Sequence, residues 1–359
     1  MIINYRMKIG ILTFHWATNY GAVLQCYALQ CYLESRGHNV KVINYKPGLY
    51  DETFYKFLRY RKFLHLKEFI CKQKKEKSLE RFRYEHLKMT DRIYKCSAIS
   101  SIASRFDIII SGSDQVVNPY FLMSGEGCHS ITPTYFLGFP FNGIRIGYAL
   151  SFGCVKYPDE ALKVASQYID SFNSIGVREV SGWDIVKSMG REDAVIVPDP
   201  TLLQPSPFYH VLANEFVSNR HEEYVYSFFI RNIEERKRVI NKVLNSKNII
   251  WNTADGEYSI ESWLHKIKHA EFVVTDSFHC VVMCLKFQTP FAVITDIKGN
   301  KGMNDRLYTL LTPLGLKERI IFKESISYET LFCSIDWEFV NRGLEKVARQ
   351  GCEFLNMNL

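Results

Sequence analysis

Apolar residues along this chain fall into short, nearly continuous runs, separated by stretches in which they recur at helical spacing. The first run, over 8–14, ends in Thr13 and Phe14. It is followed by Asn19-Tyr20-Gly21 and an apolar-periodic stretch over 22–35. Gly37 closes that stretch, and a second run covers 39–45. Strand, loop, helix and strand in that order are the βαβ unit of a parallel sheet. Further strands are expected over 106–110, 145–149, 174–177 and 194–197, with helices over 159–172 and 181–189. Asp199-Pro200 breaks the pattern, and Gln204-Pro205-Ser206-Pro207 is the candidate linker. The alternation then resumes. Strands are expected over 224–230, 248–251, 272–275 and 291–294, helices over 233–244, 259–268, 278–287 and 304–312, and a last amphipathic helix from 337 to 354. The predicted organisation is α/β: two Rossmann-like, doubly wound lobes facing a cleft. The first spans 1–203 with a helical insertion at about 50–104, the second spans 208–335, and a C-terminal helix covers 336–359.

In such sheets ligands sit at the carboxyl ends of the strands, where loops and helix N-termini meet. Four polar clusters directly follow predicted strands: Thr13 with Asn19-Tyr20-Gly21, Ser111-Gly112-Ser113-Asp114-Gln115, Arg178-Glu179, and Thr275-Asp276-Ser277-Phe278-His279. Singly, each has a structural explanation: a turn, an N-cap, an ion pair between Arg178 and Glu179 or Asp184, a histidine in a first helical turn. Together they mark the candidate site. No GxGxxG, P-loop or metal-binding carboxylate pair accompanies them, and no GxSxG elbow serves a hydrolase triad.

Charge adds one feature. The chain of 359 residues has a formal net charge of +7, and 55–92 alone holds thirteen Lys and Arg against five Asp and Glu. Apolar Phe57, Phe63, Leu64, Phe69, Ile70, Leu79, Phe82 and Leu87 recur at helical spacing there, which predicts two basic amphipathic helices. A solvated helical face is the plain explanation, and a peripheral contact with an anionic membrane is the sharper one. No nucleic-acid partner is expected, since no groove-reading or RNA-binding motif accompanies the charge. The ten cysteines are scattered, without metal spacing, and Cys280 and Cys284 lie among apolar neighbours. Scattered cysteines, an N-terminus that reads as a strand and no secretory signal or membrane span predict a reduced, cytoplasmic protein.

Six segments, in order, carry a family resemblance: GILTFHWATNYGAVLQCYALQCYLESRGHNVKVINYKP, FDIIISGSDQVVNP, IGYALSFG, VREVSGWDIVKSMGREDAVIVPDPTLL, TDSFHCVVMCLKFQTPFAVI and NDRLYTLLTPLGL. Over about 7–315 the chain resembles the bacterial polysaccharide pyruvyl transferases. That resemblance implies a GT-B-like fold and transfer of pyruvate from phosphoenolpyruvate to two hydroxyls of a sugar, forming a ketal and releasing phosphate. Phosphoenolpyruvate is the donor substrate and no cofactor or metal is implied. The acceptor would be a sugar nucleotide or lipid-linked saccharide. The chemistry suits the residues. Arg forks match phosphate and carboxylate, and protonation of the enol methylene as a hydroxyl attacks the adjacent carbon calls for an acid such as His.

By resemblance, Arg178 and His279 contact the donor, with His279 as the acid, and Asn304 and Arg306 match a later Asn-x-Arg element on the donor side. Asn19, Tyr20 and Gln25 match the first-lobe loop and Ser113, Asp114 and Gln115 the GSDQ element, all facing the acceptor, with Asp114 as candidate base. Two positions depart from the family pattern. Ser277 stands at a donor-side position where many members carry Arg, and Val116-Val117 stand where many have Trp. A GT-B-like glycosyltransferase using a nucleotide sugar and a non-catalytic sugar-binding relative are the alternatives.

Overall fold

The computed structural model describes residues 6–47, 50, 66–120, 133–218, 223–231, 233–243, 248–251, 258–296, 304–325, 327 and 332–359. The chain divides into two compact α/β units: Met1–Leu203 with Arg349–Leu359, and Gln204–Ala348. Each is built on one all-parallel sheet.

The first unit has six strands in the order β2-β1-β3-β4-β5-β6. They are β1 (Lys8–Leu12), β2 (Asn39–Val42), β3 (Ile108–Ser111), β4 (Ile144–Leu150), β5 (Ser174–Val177) and β6 (Val195–Ile196). Helices cover both faces of a parallel sheet, so its central strands are apolar without interruption. Every residue of β3 is buried. Ile108 and Ile110 pack into one core with Ile9, Ile11 and Leu33. Ile109 points into the other, with Leu12, Phe136 and Phe152.

Helix α1 (Tyr20–Ser35) starts at Asn19, whose side chain accepts from the Gly21 and Ala22 amides. The last helix, Trp337–Asn358, brings Phe354 and Leu355 into the first unit's core. Gly351 lets it approach, since a Cβ there would lie 2.6 Å from the Tyr148 hydroxyl.

The described part of the basic segment holds one helix, α2 (Leu66–His86), where two were expected. Phe69 and Ile70 belong to the same helix as Leu79 and Phe82, and Leu87 follows its end. Residues 51–65 lie outside the described residues. Leu79 and Phe82 are fully buried, whereas Ile70 and Tyr84 are exposed on the opposite side.

The second unit has five strands in the order β11-β10-β9-β7-β8. They are β7 (Val225–Phe228), β8 (Ile249–Trp251), β9 (Phe272–Thr275), β10 (Phe291–Thr295) and β11 (Ile320–Phe322). In the Pro-rich segment at 204–207, Gln204-Pro205 make a tight turn between helices Pro200–Leu203 and Ser206–Asn214, with Pro205 as the N-cap of the second. The division between units falls there. Among the described residues no helix is long and apolar enough to cross a membrane.

Candidate functional site

In each sheet the order in which the chain adds strands reverses once. In the first unit the chain steps from β1 outward to β2, then restarts on the other side with β3. In the second it steps from β7 to β8, then restarts with β9. The crevice at such a switch point, at the carboxyl ends of the strands, is where open α/β sheets place ligands. All four polar clusters follow strands that end at these edges.

In the first unit the switch point lies between Thr13 and the Ser111–Gln115 loop. Thr13 Oγ1 donates to the Ser113 carbonyl at 3.1 Å and accepts from Gln25 Nε2 at 2.9 Å. Gln25 also donates to the Ala22 carbonyl and is fully buried, so it joins α1 to the loop from behind. Gly112 is at φ +117°, and a Cβ there would meet the Tyr148 carbonyl at 2.1 Å. Glycine is therefore required at that position. Asp114 follows in the left-handed region, at φ 63°, a conformation that Asp tolerates better than most residues. Its Oδ1 accepts from the Gln115 amide at 2.9 Å. The Gln115 side chain accepts in turn from Asn118 at 3.0 Å.

Arg178, directly after β5, is the hub of this edge. Its Nη1 donates to Asp199 Oδ2 at 2.8 Å, Nη2 lies 3.8 Å from Asp114 Oδ1, and Nε lies 3.7 Å from Glu179 Oε2. Burial alone would lower its pKa. The Asp199, Glu179 and Asp114 carboxylates outweigh burial and hold it above the usual arginine value. Asp199 also accepts from Ser113 Oγ and from the Thr201 amide and hydroxyl. Glu179 accepts from Ser151 Oγ and the Phe152 amide. One cation thus meets three carboxylates, and Asp114 has the most exposed side chain of the four, at 15%.

Helix α2 secures the loop before α1. Arg83 is buried and donates to the carbonyls of His15, Trp16 and Ala17 and to Glu76. Glu76 in turn accepts from Thr18 Oγ1 at 2.7 Å. Lys75 Nζ lies 4.0 Å over the Tyr20 ring, and burial pushes its pKa down to about 8. Asn19 and Tyr20 are therefore set by capping and by the underside of the basic helix. Hydrophobic periodicity does not reveal this, because the contacts are made by charged residues.

In the second unit the switch point lies between β7 and β9. Asp276 closes it by accepting from the Ile230 and Arg231 amides at 2.7 and 3.1 Å, and burial raises its pKa against the pull of those bonds. Ser277 is the N-cap of the helix Phe278–Phe287, and its Oγ accepts from the Cys280 amide. His279 is in the first turn, 5% exposed, edge-on to Phe278. Arg306 lies 5.5 Å from the centre of the same Phe278 ring. Asn304 is buried and accepts from Thr295 Oγ1 at 3.0 Å. The structure thus connects Arg306 and His279 through Phe278, beside Ser277.

Sequence reasoning did not single out Asp199, Glu76, Arg83 or Arg236. Arg236, in the helix Ile233–Val243 after β7, is buried and donates to Asp296 at 2.7 Å. Its spacing offered a signal. Ile233, Arg236, Ile240 and Val243 share one helical face.

A sequence profile described as polysaccharide pyruvyl transferase matches residues 19–296. The chain belongs to that family. The match covers every site residue named from the sequence except Asn304 and Arg306, which follow it. Among curated proteins, none matches the sequence.

The chain is similar to several solved structures. A protein described as a UDP-N-acetylglucosamine 2-epimerase of Listeria monocytogenes is 10% identical, with a TM-score of 0.51 over 96% of this chain and 91% of that one. The UDP-GlcNAc 2-epimerase of Methanocaldococcus jannaschii, solved with UDP-GlcNAc and UDP, is 12% identical, with a TM-score of 0.47 over 96% and 93%. The E. coli heptosyltransferase WaaC, solved with ADP, is 11% identical, with a TM-score of 0.42 over 94% and 100%. The likeness to the Listeria protein is one of fold: a two-lobe α/β architecture of two parallel sheets, as in GT-B proteins.

Proposed function

We propose that this family member moves the pyruvyl group of phosphoenolpyruvate onto two hydroxyls of one sugar, forming a cyclic ketal and releasing inorganic phosphate. The observation that carries this reading is the family match over residues 19–296. The chemistry balances without a cofactor. One hydroxyl oxygen bonds to C2 as C3 gains a proton. The second then bonds to C2 as the C–O bond to phosphate breaks. Of the two hydroxyl protons, one is balanced by the new methyl group and one leaves with phosphate.

In this reading His279 protonates C3. It stands at a helix N-terminus, where the helix dipole favours an anionic ligand. Ser277, Arg306 and Asn304 would line the donor side. Asp114, the most exposed carboxylate of its cluster, would take a proton from the attacking hydroxyl. Asn19, Tyr20, Ser113 and Gln115 would shape the acceptor side, with Gln25 supporting them from within. Arg178 would act by fixing Asp114 and the Ser113 loop, since its guanidinium is already shared among carboxylates.

The acceptor would be a saccharide on a nucleotide or lipid carrier. The outward stripe of α2, with exposed Ile70, Lys74, Lys77, Arg81 and Tyr84, is the surface that would approach an anionic bilayer holding a lipid-linked acceptor. The test is a panel of nucleotide sugars and lipid-linked saccharides incubated with phosphoenolpyruvate. Acceptor-dependent phosphate release together with a new methyl resonance on the sugar is expected. Transfer of the nucleotide sugar's own glycosyl group, with no phosphate released, would overturn the reading.

A further inference from the structure

Phosphoenolpyruvate carries a phosphate and a carboxylate, and Ser277 leaves the second unit's crevice without the arginine that many relatives place there. Arg236 is a cation already at that edge. Its side chain is 3% exposed. Nη2 donates to Asp296 Oδ2 at 2.7 Å, while Nε and Nη1 are buried and have no hydrogen-bond partner among the described residues. Its guanidinium carbon is 5.8 Å from the centre of the Phe229 ring. An arginine stays charged under all ordinary conditions, and buried donors left unmet cost stability. Such a residue in a sheet-edge crevice is poised for an anionic partner.

The topology says where it lies. Arg236 belongs to the helix after β7, and its partner Asp296 directly follows β10. Strand β9 runs between them in the sheet. The side chain therefore passes the end of β9, where Asp276, Ser277 and the first turn bearing His279 are found. Asp276 is close enough for the Arg236 charge to act on it. Asp296 is also 3.5 Å from Lys323 Nζ, which pairs more closely with Glu235, at 2.7 Å.

We infer that Arg236 is an anion-binding residue of the donor site: its Nε and Nη1 groups donate to phosphate or carboxylate oxygens of phosphoenolpyruvate while Asp296 holds Nη2. It takes the place of the arginine absent at Ser277. This inference rests on the phosphoenolpyruvate reading for the chemical identity of the anion, and on the geometry alone for the existence of the anion site.

Calorimetric titration with phosphoenolpyruvate, and separately with inorganic phosphate, tests it. Arg236→Gln should weaken both by about ten- to a hundredfold, the usual effect of losing hydrogen bonds to a charged group. Asp296→Asn should tighten both a few-fold, because it releases the guanidinium; a purely structural ion pair would not behave so. This second variant decides the matter if Arg236→Gln does not fold. A folded Arg236→Gln that binds both anions like the wild type overturns the inference, as does an Asp296→Asn with weakened binding. Wild-type protein that ignores phosphoenolpyruvate yet binds phosphate through Arg236 keeps the anion site and removes the donor reading. Wild-type protein that binds neither overturns both.

Discussion

The two sheet edges use their cations in opposite ways. At the first unit's edge Arg178 stands among Asp199, Glu179 and Asp114, and the carboxylates outnumber it. Around it Thr13, Ser113, Asp199 and Thr201 are joined by a chain of hydrogen bonds. At the second unit's edge Arg236 is ion-paired with one carboxylate, Asp296, with Asp276 also in electrostatic reach, and His279 lies in the first turn of a helix. An edge with surplus carboxylate suits the activation of a hydroxyl. An edge with an arginine in a single close ion pair and a helix N-terminus suits an anion. The difference teaches that an arginine directly after a strand is not by itself an anion site. Its carboxylate partners decide.

The largest expected effect concerns His279. His279→Ala should fold and lower pyruvyl transfer by about 10²–10⁴, the usual contribution of a general acid. Turnover within a few-fold of wild type would leave the second edge without its acid. Arg178 comes next. Arg178→Met should cost about 3–5 kcal/mol of stability in urea unfolding, because it strands buried carboxylates. A variant that keeps wild-type stability but loses phosphoenolpyruvate binding would make the two edges alike, and would return Arg178 to the donor role that the resemblance implies.

This pair also marks what the sequence makes legible. The apolar run at 106–110 predicts a strand, and the Ser277–His279 segment between a strand and an apolar helix predicts a polar cluster at a helix start. Both follow from local pattern. The Arg178 hub joins residues after three different strands, and no local pattern places Asp114, Glu179 and Asp199 around one guanidinium. The basic helix is hidden for a related reason. Lys75, Glu76 and Arg83 read as solvated charge, yet they face inward, onto an aromatic ring, a hydroxyl and three backbone carbonyls. Charge there serves the fold. Arg236 lies within the run Glu234-Glu235-Arg236-Lys237-Arg238, which looks like an exposed face until its register with Ile233 and Ile240 is counted.

Acid sharpens the comparison on the first unit's side. Burial holds the His15 pKa down to about 4, next to the Thr13 carbonyl and Asn44. The unfolded chain takes up a proton near pH 6.5 and the folded chain does not. Stability therefore falls as pH drops from about 6.5 to about 4, by up to roughly 3 kcal/mol. Replacing His15 with Asn should flatten that part of the urea-midpoint profile; an unchanged profile would assign the loss to other groups.

The smallest effect concerns the outer stripe of α2. Lys74, Lys77 and Arg81 should add about 1 kcal/mol each to binding of anionic vesicles at low salt, and the binding should vanish at high salt. Changing these three to Gln should abolish sedimentation with vesicles and leave phosphoenolpyruvate binding intact. Lys75 belongs to the inner face, so Lys75→Gln should disturb the Tyr20 loop and not vesicle binding. Equal sedimentation of wild type and the triple variant would reduce the stripe to a solvated surface.

The most direct test of the central claim is a calorimetric titration of the wild-type chain with phosphoenolpyruvate, repeated with UDP-sugars. The account predicts saturable binding of phosphoenolpyruvate at one site per chain, competed by inorganic phosphate. No heat from phosphoenolpyruvate up to millimolar concentration, with saturable binding of a UDP-sugar in its place, would contradict it.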